Sequence, residues 1–393
     1  MEELQWILPE EEESIGRLHQ ALARELPGWP DAFPADLTHD LHLCRFLRGH
    51  QGDVEKAEGK LRDAVAYRME LIRQPPFASL RSTIGEDRRI DLSILPHAEE
   101  ILRILPLRNT EGTASDGLPI LLTLIRYVDF AAFDAFHTEA GEMVLRSFVN
   151  GMLEQRALVL HNRSIAEHRM VKCVDVRDFT GGSVTEFISK GRGLLSAIKA
   201  QLAVVQSFYP ELLHQAIIFN APAMFSNLFS LLSGLLNERM RSKISIVPVA
   251  ASLATMLEHL DARAIHSWLS QACPERYWSQ FVVPNGATEC ISCWLEEGET
   301  VIWKVSIRGA AKMTLKSVFM PGRSATACRE AVKPCAISKE ETVVGEFTGY
   351  HEAATDGVFF VCLDNSTAFW SAQTCSVEFK RSRQTQSLEQ SQS

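Results

Sequence analysis

The segment Phe208-Tyr-Pro-Glu-Leu-Leu-His-Gln-Ala-Ile-Ile-Phe-Asn-Ala-Pro222 contains a short apolar run from Ala216 to Asn220, which predicts a buried strand. Similar runs occur at Pro119 to Val128, Met170 to Val176 and Lys243 to Val247. Longer stretches with helical spacing separate these runs. Because neighbouring parallel strands need long crossover connections, the alternation predicts an α/β unit with a mostly parallel sheet.

The chain on either side of this unit has different patterns. Between Leu41 and Ile72 apolar residues recur every three or four positions, which predicts amphipathic helices, with Asp53 as the N-cap of the second one. Beyond Pro284 the period changes to two, as in Val301 to Arg308, which predicts a small antiparallel β-sandwich.

These changes of pattern divide the 393 residues into five parts. We expect an N-terminal extension, a helical lobe, an α/β unit, a β-sandwich and a polar, disordered tail. Their predicted ranges are 1–39, 40–105, 106–283, 284–380 and 381–393.

Composition and charge narrow the class of protein. The net charge of −9 gives no general attraction to nucleic acid, so no nucleic-acid partner is expected. The acidic N-terminus lacks the basic and apolar regions of a secretory signal, and no apolar run reaches the ~18 to 20 residues of a membrane-spanning helix. We therefore expect a cytoplasmic protein whose membrane contact is peripheral.

The nine cysteines are scattered along the chain and often lie in apolar runs, so we interpret them as reduced thiols. Cys290 and Cys293 have zinc-knuckle spacing, but no second Cys or His pair follows at the distance that a four-ligand site needs. No metal site is predicted.

The sequence lacks the motifs of several enzyme classes. It contains no G-x-S-x-G elbow, no H-E-x-x-H pair and no G-x-x-x-x-G-K-[ST] loop. Gly191-Arg-Gly193 resembles half a dinucleotide loop, but it lies in a helical stretch and lacks the third glycine. We expect no enzymatic activity, no catalytic residue and no cofactor, and a hydrolase has only the fold class in its favour.

The segment from Pro222 to Leu236 is apolar around most of a helical circumference. Its polar stripe, formed by Ser226, Ser230, Ser233 and Asn237, carries no charge. A surface helix normally has charges on that stripe, so this helix is not expected to be exposed to water. It is either an ordinary core helix or the cover of a lipid cavity that meets a bilayer when open, and periodicity leaves both interpretations open.

Three motifs resemble the signature of CRAL-TRIO lipid-binding domains. They are Phe208-Tyr-Pro-Glu211, Ile218-Phe-Asn-Ala-Pro222 and Ser242-Lys-Ile244. Leu43-Cys-Arg-Phe-Leu-Arg48 resembles the helical N-terminal lobe of the same family, and the resemblance covers about Asp40 to Cys273. It implies a phospholipid pocket whose mobile gate is the helix after Asn-Ala-Pro. The gate and acyl-chain residues that it implies are Phe225, Leu228, Phe229, Leu232, Leu235 and Leu236.

The resemblance also implies a headgroup site. Glu211 and Lys243 match positions that bind an inositol-phosphate headgroup, where a cation holds the phosphate and a carboxylate accepts from hydroxyls. Arg45 and Arg48 are comparable helpers from the N-terminal lobe. The alternatives are that Glu211 and Lys243 only pair with each other or face solvent, and that the arginines are surface charges.

Three residues depart from the family pattern. Met240 stands in place of a threonine, and Met170 and Lys172 replace small hydroxyl residues that are associated with phosphatidylcholine. Lys172 is a further headgroup candidate, or it points to solvent. We therefore favour phosphatidylinositol over phosphatidylcholine, and an uncharged lipid such as a tocopherol or squalene remains open.

The C-terminal strands resemble a second family. Val301-Ile-Trp303 and the stretch from Asp356 to Phe369 resemble the GOLD domain, which follows a CRAL-TRIO domain in the supernatant-protein-factor type. This resemblance implies a protein-interaction module that is tied to Golgi and vesicle traffic.

Together, these features predict an intracellular lipid-binding or lipid-transfer protein. It would exchange or present a phosphoinositide or another hydrophobic ligand, docking transiently on Golgi or endosomal membranes, and bind a protein partner through the β-sandwich. The alternative is a vesicle-trafficking adaptor in which the GOLD domain recruits the partner and the CRAL-TRIO domain is mainly structural.

Overall fold

The computed structural model describes most of the chain. The described residues are 4–84, 90–182, 184–190, 192–222, 225, 229, 233–234, 236–272, 281–308, 312–322, 337–365 and 372–383. Leu228, Leu232 and Leu235 of the predicted gate, and the tail beyond Arg383, lie outside these residues.

The N-terminal part is helical, as predicted. Its helices are α1 (Pro9–Glu25), α2 (Ala35–Thr38), α3 (Asp40–Gly49), α4 (Val54–Ile72), α5 (Pro75–Thr83) and α6 (Ala98–Ile104), with a 3₁₀ helix at Leu92–Ile94. The Asp53 side chain caps α4 by accepting a hydrogen bond from the backbone N–H of Lys56 at 3.1 Å. α1, which lies in the predicted extension, packs on α3 and α4 through Leu18, Phe46 and Leu61.

A five-stranded sheet forms the α/β unit. Its strands, in spatial order, are β1 (Leu107–Thr113), β2 (Pro119–Leu124), β3 (Cys173–Asp178), β4 (Leu213–Ala221) and β5 (Ile244–Pro248). β2 to β5 are parallel and β1 is antiparallel to β2, which confirms the mostly parallel sheet. The sequence pattern does not predict β1, because this edge strand is largely polar and only partly buried.

Helices connect the strands of this sheet and follow its last strand. The connecting helices are α7 (Glu139–Glu167), α8 (Val184–Lys190), α9 (Arg192–Phe208) and α10 (Glu238–Ser242), with 3₁₀ helices at Ile125–Tyr127 and Ala132–His137, and α11 (Val249–His259) and α12 (Ala262–Ala272) follow β5. In the part of the chain that the structure describes, no helix has the length and apolar character to cross a membrane.

The sheet contributes to two separate hydrophobic clusters, one on each face. Ile120, Val174 and Ile217 lie in a cluster with Trp268 of α12. Leu121 and Ile218 lie in a different cluster, with residues of α7. Because successive side chains of a strand point to opposite faces, the register of the strands determines which residues each cluster receives.

The C-terminal part contains two four-stranded antiparallel sheets, ordered β10-β9-β12-β7 and β11-β8-β13-β6. Their strands are β6 (Phe281–Val283), β7 (Thr288–Leu295), β8 (Glu299–Ile307), β9 (Met313–Pro321), β10 (Ile337–Val343), β11 (Glu346–Glu352), β12 (Gly357–Asp364) and β13 (Gln373–Arg383). Buried residues of both sheets, including Trp303 and Phe359, form one cluster. The predicted antiparallel β-structure is confirmed.

Strand pairing moves two of the predicted boundaries. β6 precedes Pro284 but pairs with β13, so it belongs to the C-terminal sheets. β13 pairs with β8 as far as Arg383, three residues into the tail that we expected to be disordered from residue 381. Hydrogen bonds to a distant strand, which local composition does not reveal, set both of these ends.

The interpretation of all cysteines as thiols is wrong for two of them. Cys290 of β7 and Cys362 of β12 are directly opposite each other and form a disulfide, with a Cα–Cα distance of 4.1 Å. The two residues are 72 positions apart in the chain, so only the strand pairing reveals their proximity. Cys44, Cys173, Cys293 and Cys375 are buried and free.

The C-terminal sheets pack against α12 of the α/β unit. Val318 of β9 and Phe360 of β12 share a hydrophobic cluster with Ile265 and Trp268 of α12. At the edge of this contact, Arg126 forms a salt bridge of 3.2 Å with the buried Glu289 of β7. The α/β unit and the C-terminal sheets therefore share one hydrophobic cluster.

We predict that Gly349→Ala destabilises the C-terminal sheets. A Cβ atom at this position would lie 2.2 Å from Cζ2 of Trp303, so the substitution should lower the free energy of unfolding by about 1–3 kcal/mol. Gly59→Ala is the control, because the nearest atom to its Cβ is 4.0 Å away and it should raise helix stability by about 0.5–1 kcal/mol. Urea unfolding measures both, and equal effects would contradict the packing of Trp303 over Gly349.

Candidate functional site

A cavity of about 200 Å³ lies over one face of the parallel sheet. Its floor follows the strand register, in which Leu121 pairs with Asp175 and Asp175 with Ala216. The floor residues are Leu121 and Thr123 of β2, Asp175 and Arg177 of β3, Ala216 and Ile218 of β4, and Ile244 of β5. They belong to one face because they lie two positions apart within each strand.

The walls of the cavity are mostly apolar. They include Phe148, Val149, Met152 and Arg156 of α7, Ile198, Gln201, Leu202 and Val205 of α9, and Phe225, Phe229, Leu236 and Met240. A concave, mainly hydrophobic lining with a few polar groups is typical of sites that bury small hydrophobic ligands.

The described residues of the predicted gate face this cavity. Phe225 is buried and packs edge-on against Phe179, with a distance of 4.7 Å between ring centroids. Phe229 is partly buried, and Leu236 is buried at the far end of the segment. All three side chains line the cavity.

The start of the gate segment is held by the carboxylate of Asp178. Its Oδ1 accepts hydrogen bonds from the Asn220 amide at 2.9 Å and from the Thr180 hydroxyl at 2.5 Å. Its Oδ2 accepts from the indole N–H of Trp268 at 3.1 Å. Asn220 has a positive φ of 55°, which asparagine tolerates better than most residues, so this network fixes the turn that precedes Pro222.

The predicted headgroup residues Glu211, Lys172 and Lys243 lie together in the structure. Lys172 and Lys243 immediately precede β3 and β5, and Glu211 lies just before β4, so the parallel sheet brings them to the same edge. The Glu211 carboxylate accepts from Lys172 Nζ at 2.5 Å, Lys243 Nζ at 3.1 Å and Arg239 Nε at 2.5 Å. These three cations exceed the one carboxylate by two charges.

This cluster lies beside the cavity rather than in its lining. Lys172 is fully buried, Glu211 and Lys243 are almost so, and Arg239 is 28% exposed. Burial alone would raise the pKa of Glu211, but the hydrogen bond from Arg239 and the charges of both lysines outweigh it and hold the pKa far below its usual 4.5. The carboxylate is therefore ionised at neutral pH.

Arg45 and Arg48 bind backbone groups rather than lining the cavity. Arg45, on α3, donates to the carbonyl oxygens of Glu211 at 2.6 Å and Val171 at 2.8 Å, so it joins the helical lobe to the sheet. Burial lowers its pKa to about 10, which leaves it charged at neutral pH. Arg48 holds the Glu11 carboxylate, with its Nε at 2.7 Å, together with two carbonyls of the N-terminal segment.

The strand register corrects the choice of pocket residues near β3. Met170 and Lys172 precede β3, and Met170 is buried in the helical lobe cluster. The β3 residues on the cavity floor are instead Asp175 and Arg177. The sequence pattern placed the strand three residues too early, because Met170 and Val171 extend the apolar run without pairing in the sheet.

Sequence reasoning also missed Arg156. Its Nη1 lies 3.4 Å from Oδ1 of Asp175, and both residues line the cavity. β3 carries three charged residues, Asp175, Arg177 and Asp178, which mark a strand with polar contacts but do not identify Arg156 as a partner. Among the described residues, no group of three or more His, Cys, Asp or Glu side chains is arranged to hold a metal ion.

Comparison with known proteins agrees with this architecture. Residues 112–269, which hold β2 to β5 and most of α12, match the CRAL/TRIO domain. The match to the family contains the cavity floor, the gate segment and Glu211.

Individual proteins that resemble this chain are distant from it in sequence. The CRAL-TRIO domain-containing protein C34C12.6 of Caenorhabditis elegans is 23% identical over 71% of this chain and 65% of its own length. The SEC14 cytosolic factor of Yarrowia lipolytica is 27% identical over 60% of this chain and 43% of its own length. The chain thus spans less than two thirds of the length of either relative. The crystal structure of Sfh5 aligns over 64% of this chain and 84% of its own, with 16% identity and a TM-score of 0.42.

We predict that Glu211→Gln is more destabilising than Lys172→Met. The first change leaves three cations without their carboxylate and should cost about 3–5 kcal/mol, whereas after the second change Glu211 keeps Lys243 and Arg239. Urea unfolding at pH 7 measures both, and a larger effect of Lys172→Met would contradict the assignment of Glu211 as the shared partner.

The same carboxylate predicts a pH dependence. Below pH 4.5 the unfolded chain binds a proton at Glu211 that the folded protein, with its lowered pKa, does not bind. The contribution of Glu211 is therefore present above this pH and is lost as the pH falls toward the folded pKa. Urea unfolding at several pH values between about 6 and 3 tests this dependence. Over that range the unfolding free energy of Glu211→Gln should fall less steeply than that of the wild type.

Proposed function

We propose that this chain binds a lipid in the cavity and carries or presents it at membranes without a covalent step. The observation that carries the proposal is the apolar cavity over the sheet, closed on one side by Phe225, Phe229 and Leu236. A ligand in this cavity exchanges bilayer contacts for equivalent apolar contacts, so that extraction needs little net hydrophobic work. The match of residues 112–269 to the CRAL/TRIO domain supports this proposal.

The gate segment provides the route for the lipid in this proposal. It begins at the turn held by Asp178 and ends near Asn237, whose backbone N–H donates to Gln206 of α9 at 3.1 Å. Opening between these two attachment points would expose the apolar residues of the segment to a bilayer, where their exposure is not penalised. The name of one similar protein, the SEC14 cytosolic factor, supports action from the cytosol.

We further propose a phosphoinositide as the ligand, with its headgroup at the Glu211 cluster. The support is the excess of two positive charges on Lys172, Lys243 and Arg239, and the partial exposure of Arg239. The competing interpretation is that the cluster is purely structural, since each of its cations already contacts Glu211. The substitution of Lys243 distinguishes the two.

A second candidate, an adaptor that recruits a protein through the C-terminal sheets, has one observation in its favour. Tyr350 of β11 and Ile302 of β8 are directly opposite each other and are 78% and 47% exposed. An exposed aromatic and aliphatic pair is a surface feature that protein interfaces use. The GOLD assignment and a place in vesicle traffic belong to this candidate.

We predict that Ala216→Trp abolishes lipid binding. The indole would project from the floor into the cavity and occupy the space that the ligand needs. Mass spectrometry of lipid that co-purifies with the protein, and transfer of fluorescent lipid between vesicles, measure the effect. Val282→Trp, at a position that is 52% exposed on β6, is the control and should keep both activities. Undiminished binding by Ala216→Trp would refute the cavity as the lipid site.

We predict that Lys243→Ala weakens phosphatidylinositol binding roughly tenfold or more, as expected for the loss of a charge-assisted hydrogen bond. The binding of an uncharged lipid of equal chain length should be unchanged. Lys199→Met, on the exposed side of α9, removes one positive charge elsewhere and serves as the control. If Lys243→Ala binds phosphatidylinositol as the wild type does, the cluster is structural only.

A further inference from the structure

The floor of the cavity carries charge at its centre. β3 is the middle strand of the sheet, and its cavity-facing residues are Asp175 and Arg177. Their neighbours in register are Leu121 and Ala216 for Asp175, and Thr123 and Ile218 for Arg177. A charged group among apolar neighbours is costly unless it is paired, so this part of the floor is built for a polar contact.

The wall above this strand supplies a second guanidinium. Arg156 of α7 is 5% exposed and lines the cavity, its Nη1 lies 3.4 Å from Oδ1 of Asp175, and its side chain also contacts Cys173. Its Nε is buried and has no hydrogen-bond partner among the residues that the structure describes. A buried donor without an acceptor costs about as much as a lost hydrogen bond, so the Arg156 guanidinium keeps donor capacity that Asp175 does not use.

The charge balance of the lining indicates the sign of that ligand group. Within the described lining, the charged residues are Arg156, Arg177 and Asp175, which leaves an excess of one positive charge. Two guanidinium groups would repel a cationic headgroup. A neutral headgroup would leave the excess positive charge of the lining uncompensated. A single anionic group neutralises the lining and accepts from planar donors that suit carboxylate and phosphate oxygens.

We propose that the cavity takes an amphiphile with one anionic group, a carboxylate or a phosphate, and that the guanidinium groups of Arg156 and Arg177 bind this group. The inference rests on the proposed binding of a lipid in the cavity, and it places the anionic group of that lipid on the cavity floor instead of at the Glu211 cluster. The hydrocarbon chain then lies along the apolar walls formed by α7, α9 and the gate residues. This site is separate from the Glu211 cluster, whose four residues do not line the cavity.

The test measures binding to the full-length protein by displacement of a fluorescent fatty acid. The competitors are oleate, oleyl alcohol and oleoyl lysophosphatidate, which share a chain and differ in their polar group. The variants are Arg177→Met and the double variant Arg156→Met/Asp175→Leu, which removes the buried pair together and avoids leaving Asp175 unpaired. Lys199→Met is the control for the loss of one surface charge.

We expect the wild type to bind at least one of the two anions roughly 10- to 100-fold more tightly than the alcohol, which is the range for charge-assisted hydrogen bonds. Both variants should lose most of this preference and keep their affinity for the alcohol, which also shows that they are folded. Lys199→Met should retain the preference. Tighter binding of oleate identifies the group as a carboxylate, and tighter binding of the lysophosphatidate identifies it as a phosphate.

Two results would separate failure of this inference from failure of the proposed function. Equal affinity of the wild type for the alcohol and both anions, or a preference that Arg177→Met retains in full, overturns the anionic site but leaves lipid binding intact. Displacement by none of the three compounds, with no fluorescent fatty acid bound, overturns lipid binding itself. If the double variant does not fold, the result for Arg177→Met alone decides whether the anionic site exists. This variant is expected to fold because Arg177 is only partly buried.

Discussion

The parallel pairing of β3 between β2 and β4 is the constraint on which the rest of the structure depends. Its register places Val174 and Val176 in the cluster that reaches α12, and Asp175 and Arg177 on the floor of the cavity. A shift by one residue would exchange the two sets, burying charges in the core and emptying the floor of polar groups. The core, the cavity and its polar centre therefore follow from a single alignment of strands.

The common starting edge of the same strands explains the Glu211 cluster. Residues that directly precede parallel strands lie side by side, so Lys172, Glu211 and Lys243 meet although they are far apart in the chain. Arg45 then binds the backbone carbonyl of Glu211 from the helical lobe. The cluster thus joins lobe and sheet, and its cations serve this purpose whether or not a headgroup is bound.

The sequence predicted the parts of the fold that depend on local periodicity. The helical lobe follows from a spacing of three to four, the antiparallel C-terminal strands from a spacing of two, and the mostly parallel sheet from short apolar runs that alternate with helical stretches. Pairing between distant segments was not predictable in the same way. The disulfide between Cys290 and Cys362, the edge strand β1 and the assignment of β6 to the C-terminal sheets all depend on which strands become neighbours.

The candidate site shows the same division. The local apolar pattern marked Phe225, Phe229 and Leu236 as residues shielded from water, the resemblance made them gate residues, and they line the cavity. The resemblance grouped Glu211 with Lys243, but the additional cation Arg239 required the fold. The contact between Arg156 and Asp175 joins a long helix to a strand, and no pattern within either segment indicates it. The three-residue error at the start of β3 likewise came from an apolar run that extends beyond the paired strand.

The hydrogen bonds of Asp178 connect three parts of the molecule that are distant in sequence. One oxygen holds Asn220 at the start of the gate segment, and the other holds Trp268 of α12, on which the C-terminal sheets pack. Any displacement of α12 relative to the sheet must either break the bond from Trp268 or pull on the carboxylate that fixes Asn220. The side chain of Asp178 therefore links the C-terminal sheets mechanically to the hinge of the gate. Its two partners, Asn220 and Trp268, lie 42 and 90 positions away in the chain.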